Sequence, residues 1–500
     1  MERMNESPQE VRINKVEPVG IKYPSMTKHS GYKAQRHLTS FNAENASTFT
    51  ESNNICRIPC SSGSFLDLNQ AVLGFQLKNS SSQTNSLQLD DCASSVISRV
   101  RILNMQGGEL ERLENYSLLS SKLNQYTRDF NTLVSEGVGD GSPWRYDFTP
   151  KQNATITANA TVTTETGMVL TVGGVANATM VYANTRGGRG YNQEQADILN
   201  QGKSRHYEIK LKGAWFNPDH KNYLPPQSSF ILELQFASVS NAFRWSANHA
   251  GNTYEVSNCI LNVPAVNITD SDLLNRMNLS NRSISWTGTS FSHVINTTQN
   301  APSGTENLQL SIRAFVLKGL MSIMRVQADI NSQVKYSNSK TTIQGLVNYS
   351  YQLGSQNYPQ QQVDINLDDS DADLSTGGTA VNVRILDGSK DAINISEASA
   401  EIKRLIRGLK GDLSGHGIIN DESYGQSINN NGSGMIGVSL EPYGHDEAIH
   451  NGIDTASSAL PVSLRLGKSD VNNVVCQIDT YGICQVVFMR DSDGSLTSEF

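Results

Sequence analysis

Apolar and polar residues alternate with a period of two along much of this chain. Leu73, Phe75 and Leu77 alternate with Gly74, Gln76 and Lys78, and Val100 and Ile102 with Arg99 and Arg101. Tyr207, Ile209 and Leu211 alternate with Glu208, Lys210 and Lys212. Phe230, Leu232, Leu234 and Phe236 alternate with Ile231, Glu233, Gln235 and Ala237. Successive strand side chains point to opposite faces, so each apolar set lines one face of a β-strand. A sheet with one apolar face must bury it, and packing it on a second sheet makes a sandwich. The second half continues in the same style. Strands are predicted near Ile260–Ile268, Phe291–Asn296, Leu308–Phe315, Val381–Leu386, Met435–Leu440, Val462–Leu466, Val474–Ile478 and Ile483–Met489. Gln106-Gly107-Gly108 supplies a turn.

A second period, of three to four residues, interrupts the strands. Leu110, Leu113, Leu119, Leu123 and Tyr126 predict a helix over Glu109–Tyr126. Ile402, Leu405, Ile406 and Leu409 predict another, capped by Ser396 and ended by Gly411. A helical turn is expected around Val316–Val326. The stretch from about 127 to 200 is polar and rich in Thr, Gly and Asn. Within it, Thr161-Val162-Thr163 and Met168-Val169-Leu170 read as a hairpin in a large insertion.

The chain has 500 residues, and single cores stop growing at roughly 250–300. Two domains follow, each with about eight strands, the number a Greek-key jelly roll needs. The predicted fold is all-β, with two tandem eight-stranded jelly rolls, a few short helices and long loop insertions. The expected boundaries are an extended arm at 1–45, a first roll at 46–243, a polar linker at 244–255 and a second roll at 256–500.

Composition sharpens this picture. Hydrophobic residues make up 37% and charged residues 18%; the balance is filled by Ser, Thr, Asn and Gln, which bond locally to the backbone and favour turns over helix. A net charge of −8 argues against a surface that grips nucleic acid throughout. Residues 1–40 depart from the rest, with seven Lys or Arg against four Glu. Pro8, Pro18 and Pro24 interrupt any helix there. No stretch has the apolar core of a signal peptide or the ~20 apolar residues of a membrane span. Folding in a cytosol or nucleus is expected, with Cys56, Cys60, Cys92, Cys259, Cys476 and Cys484 as buried free thiols.

Chemistry-bearing motifs are not found. Gly187-Gly188-Arg189-Gly190 lacks the Lys of a phosphate loop. His445 and His450, five apart, would not share a helix face. The acidic run Asp368, Asp369, Asp371, Asp373 lacks the Gly and terminal Glu of a calcium loop. Trp144, Trp215, Trp245 and Trp286 are scattered and read as core or interface. No catalytic, cofactor-binding or metal-ligating residue is expected, and no enzyme activity.

Three segments carry a resemblance. Asn222-Tyr223-Leu224-Pro225-Pro226-Gln227-Ser228, running into Phe230–Leu234, resembles the segment that closes the first roll in double jelly-roll major capsid proteins of icosahedral DNA viruses. Tyr254–Leu261, followed by Val263 and Val266, resembles the strand that opens their second roll. Tyr351–Pro359 is similar to a loop of that roll. The polinton-like, adintovirus and virophage branch is the most similar. The resemblance implies a homotrimer of pseudo-hexagonal outline in an icosahedral shell. Implied partners are neighbouring capsomers and penton and minor capsid proteins, with no sequence-specific nucleic acid and no cofactor. The implied location is the virion, after synthesis in the host cytoplasm. The alternative is a trimeric fibre or adhesin-type β-protein, which predicts internal repeats; none is seen.

Overall fold

A computed structural model describes residues 34–82, 87–127, 139–141, 198–219, 223–244, 251–268, 283–298, 304–333, 338, 346–364, 401, 404–405, 435–441, 452–468, 475–492 and 494–500, with four three-residue strands between 154 and 180. Among the strands of the described residues, sixteen form the main paths of four sheets. The first eight are β1 (Ala34–Asn42), β2 (Ile55–Cys60), β3 (Val72–Asn79), β4 (Ile97–Asn104), β5 (Glu109–Glu114), β6 (Ser204–Ile209), β7 (Phe230–Phe236) and β8 (Tyr254–Ile268). The second eight are β9 (Ile284–Thr297), β10 (Gly304–Leu310), β11 (Leu317–Val326), β12 (Leu346–Leu353), β13 (Gln356–Asp364), β14 (Ile436–Ser439), β15 (Val462–Lys468) and β16 (Cys476–Arg490).

Their sheet order defines the topology. The first eight form two sheets, β1-β8-β3-β6 and β2-β7-β4-β5; the second eight form β9-β16-β11-β14 and β10-β15-β12-β13. Adding eight to every strand of the first pair reproduces the second pair. In each set the first strand lies beside the last and the second beside the seventh, the nested order of a Greek-key jelly roll. All these neighbours are antiparallel. The inward residues are those the period-two pattern picks out: Phe230, Leu232, Leu234 and Phe236 of β7 are all buried, as are Leu73, Phe75 and Leu77 of β3. Thr161–Thr163 pairs with Val169–Thr171, the expected hairpin.

Several expectations are corrected. Tyr254–Leu261 does not open the second roll. It lies in β8, hydrogen-bonded to β3 on one side and to β1 on the other, so it closes the first roll. Strand β1 begins within the range expected as arm, because Phe41 is buried and nine residues pair in unbroken register with β8. Glu109–Glu114 is strand, and helix α1 spans Tyr116–Thr127. Asn115, at φ 47°, makes the left-handed step between them, a conformation Asn tolerates better than most. Leu317–Val326 is strand, not a helical turn. Its residues other than Lys318 are buried, so it shows no alternation. Strand β10 ends at Leu310, short of the expected Phe315, and Val474–Ile478 and Ile483–Met489 merge into β16. Glu401, Arg404 and Leu405 are helical as expected. The rest of that helix, residues 1–33, Val381–Leu386, and the His445, Asp368 and Gly187 motifs lie outside the described residues, as do Trp144 and Trp245.

Candidate functional site

Among the described residues, the informative site is the place where the two rolls meet. Their buried apolar side chains form one connected core. Strand β5, the edge of one sheet of the first roll, lies against β9, the edge of one sheet of the second. The segment after β6 closes this seam. Pro218 bridges Gly288 of β9, the Asp219 N–H donates to the Thr287 carbonyl at 2.9 Å, and the Thr287 hydroxyl donates to Asp219 Oδ2 at 2.9 Å. An edge strand left open invites wrong partners; here the first roll covers the edge of the second.

Glu111 of β5 anchors the seam. Its buried carboxylate accepts the Ala214 N–H at 2.7 Å, the Trp215 N–H at 2.9 Å and, from the second roll, the Ser290 hydroxyl at 2.6 Å. Burial raises its pKa, and these three donors offset the rise only in part. The turn that presents the two N–H groups needs Gly213, which sits at φ +119° with Glu111 2.9 Å from where a Cβ would be. Beside it, Trp215 of the first roll, backed by Phe230 at 5.1 Å, meets Trp286 and Phe488 of the second, with ring centroids 5.7 and 5.0 Å away. Trp215 and Trp286 thus lie at an interface, as the sequence suggests.

A second polar centre is built on Asp479 of β16. Arg325 of β11 donates to its Oδ2 at 2.9 and 2.6 Å, while His293 of β9 and the Asn115 amide of the first roll lie 2.9 Å from its Oδ1. Burial pushes the Asp479 pKa up, but Arg325 and His293 outweigh it and hold the group at about 2. The Tyr481 hydroxyl donates to the Asn115 carbonyl at 3.0 Å. Further along, Asn338 takes the Asp90 carboxylate on its backbone N–H at 2.9 Å. Asp90 and Asp91 lie near Lys122 of α1, whose pKa burial lowers to about 7 against the opposing pull of both carboxylates. The C-terminal strand, Leu496–Glu499, pairs with the end of β16, and the Asn104 amide donates to the Leu496 carbonyl at 3.1 Å.

Apart from the two tryptophans, none of these side chains is singled out by the sequence. The available signal was a charge inside an apolar run: Arg325 in Leu317–Val326 and Asp479 in Cys476–Met489. Such residues are almost never fully buried unless paired. All six cysteines are buried and none forms a disulfide, as expected. The hydrogen bond between Cys56 and Cys259 and the burial of the pair raise the Cys56 thiol pKa. Among the described residues, no cluster of His, Cys, Asp or Glu could hold a metal ion. No helix there is long and apolar enough to cross a membrane. The outer face of the β2-β7-β4-β5 sheet carries a charge ladder, with Glu233 held between Arg57 and Arg101 at 2.8 Å each.

Two sandwiches of one strand order, joined through a buried seam, define a double jelly roll. Solved structures share this fold. VP54 of PBCV-1, fitted into a reconstruction of the virophage Sputnik, gives a TM-score of 0.52 at 10% identity over 93% of this chain and 97% of that one. The Sputnik virophage structure gives 0.52 at 9% identity, covering 100% and 93%. The PBCV-1 virus capsid gives 0.51 at 10% identity, covering 92% and 96%. At such identity the likeness is one of fold. No protein-family model and no curated protein matches the sequence.

Proposed function

We propose that this chain is a viral major capsid protein that trimerises into capsomers of pseudo-hexagonal outline, which tile an icosahedral shell. The observation that carries the reading is the repeated strand order. Two rolls of the same order, spanning residues 34–268 and 284–490, are held in fixed relation by the Glu111 and Asp479 centres. Three copies around an axis then present six similar lobes, and a closed assembly reuses one contact many times. The role is structural, without a reaction. Partners are neighbouring capsomers, with penton and minor capsid proteins at special positions, and the location is the virion. The long polar insertions suit an outer surface, where loops vary freely. The test is mass photometry of the purified 54.6 kDa chain with negative-stain electron microscopy. Three copies in a hexagonal outline are expected. A stable monomer across the micromolar range, or a fibre, would refute the reading.

A further inference from the structure

The rolls treat their exposed edges unequally. Strand β14 has four residues, β2 and β13 carry Pro59 and Pro359, β6 carries Arg205 and Glu208, and β9 is closed by residues 218–219. These are ordinary ways of blunting an edge. Of these devices strand β1 has only the charged or polar side chains of Arg36 and His37. It runs nine residues in continuous register with β8, without Pro, Gly or a bulge, and its outer edge pairs with no strand among the described residues. Ala34 to His37 are exposed, and Leu38 in the middle is 63% exposed, the most exposed large apolar residue among those described. Opposite Leu38, Arg36 and Ala34 in register stand Pro264, Val266 and Ile268 of β8, all half-buried, so the outward face of this ribbon is apolar except for Arg36, which lies 3.7 Å from Asp67.

We infer that the outer edge of β1 receives the N-terminal segment Val19-Gly20-Ile21-Lys22-Tyr23 of a second copy of this chain, added as a further strand. The segment alternates Val, Ile and Tyr with Gly and Lys, so one face is apolar and fits beside Leu38. Its main-chain groups match the open edge, and Pro24 ends it at once. Ten residues, 24–33, separate it from the protomer's own β1. Extended, they reach about 35 Å, enough to cross to a neighbouring protomer. The inference rests on the reading that copies of this chain assemble, and the experiment separates the two.

Leu38→Cys is combined in turn with Val19→Cys, Ile21→Cys and Tyr23→Cys, with each single variant as control. Facing residues of paired strands lie within the span a disulfide bridges. Leu38 is exposed, so its substitution leaves the fold intact. After mild oxidation, at least one double variant is expected to give covalently linked chains on a non-reducing gel, absent from the single variants and reversed by reductant. A bond confined within single chains would show that each arm folds back on its own β1, overturning the exchange. No bond in a sample that mass photometry shows to be oligomeric would overturn docking at this edge. A monomeric sample would overturn the assembly reading as well.

Discussion

At the scale of the residue, the seam depends on a few buried charges whose worth lies in being paired. Asp479 has a folded pKa of about 2 against an ordinary 3.8. A carboxyl with a depressed folded pKa contributes stability that is fully present above the unfolded value. That contribution is lost as pH falls through the folded value. The window here is pH 4 down to pH 2, and the contribution is about 2 kcal/mol. Asp479→Asn should flatten this acid limb in urea denaturation series. At neutral pH it should also cost on the order of 3–5 kcal/mol, because Arg325 would remain buried without its countercharge. An unchanged acid limb would mean that Asp479 is not the group responsible. Glu111 differs in sign. Its folded pKa is raised, so its contribution is greatest at low pH and falls as pH rises through the carboxylate range. Lys122, lowered to about 7 by burial, gives stability that rises between pH 7 and the unfolded lysine value near 10.5.

At the scale of the element, close approach of backbones is what the glycines permit. A Cβ at Gly288 would stand 2.7 Å from the Ala214 carbonyl oxygen and 2.8 Å from its Cβ, so β9 and the 213–219 segment would have to separate. Gly288→Ala should therefore cost about 1–3 kcal/mol, read as a shift in the urea midpoint. At Gly107 a Cβ meets open space and only the positive φ of 87° resists it. Gly107→Ala should meet a left-handed penalty of about 1–2 kcal/mol, offset by about 0.4–1 kcal/mol through reduced unfolded-state entropy. Equal costs at the two positions would remove the packing argument. The same contrast explains what the sequence could reveal. Half-exposed strands such as β3 and β7 announce themselves by alternation. Strand β11 does not, because Leu405 packs on its outer face at Gly319 while its Ser322 hydroxyl is bonded by Tyr351 on the inner face. In β5, Leu110 and Leu113 fall three apart and mimic the first turn of α1. Gly482 looks like a turn within Val474–Met489, yet it is a point where Ile312 packs within 2.6 Å of its Cβ position, and β16 runs straight through. The seam was invisible for a different reason: nothing in residue order says that β5 and β9, some 170 positions apart, share an edge.

At the scale of the whole molecule, the question is whether two rolls of independent topology behave as one body. Each spans enough residues to fold alone, and a seam made only of exposed ion pairs would let them unfold separately, since such pairs contribute little. This seam is of another kind. Trp215, Trp286 and Phe488 are buried across it, and each large side chain removed from water is worth about 1.5–3 kcal/mol. Glu111 and Asp479 add bonds whose loss would strand buried partners. The expected outcome is a single calorimetric transition, with the van't Hoff and calorimetric enthalpies in agreement. Trp286→Ala combined with Ser290→Ala removes one half of the aromatic bridge and the cross-roll bond to Glu111, leaving Trp215 on Phe488 and both Greek keys complete. The aromatic truncation alone should cost about 3–5 kcal/mol, and the single transition should split into two, one for each roll. Two transitions already present in the unaltered chain would show that the rolls are merely tethered.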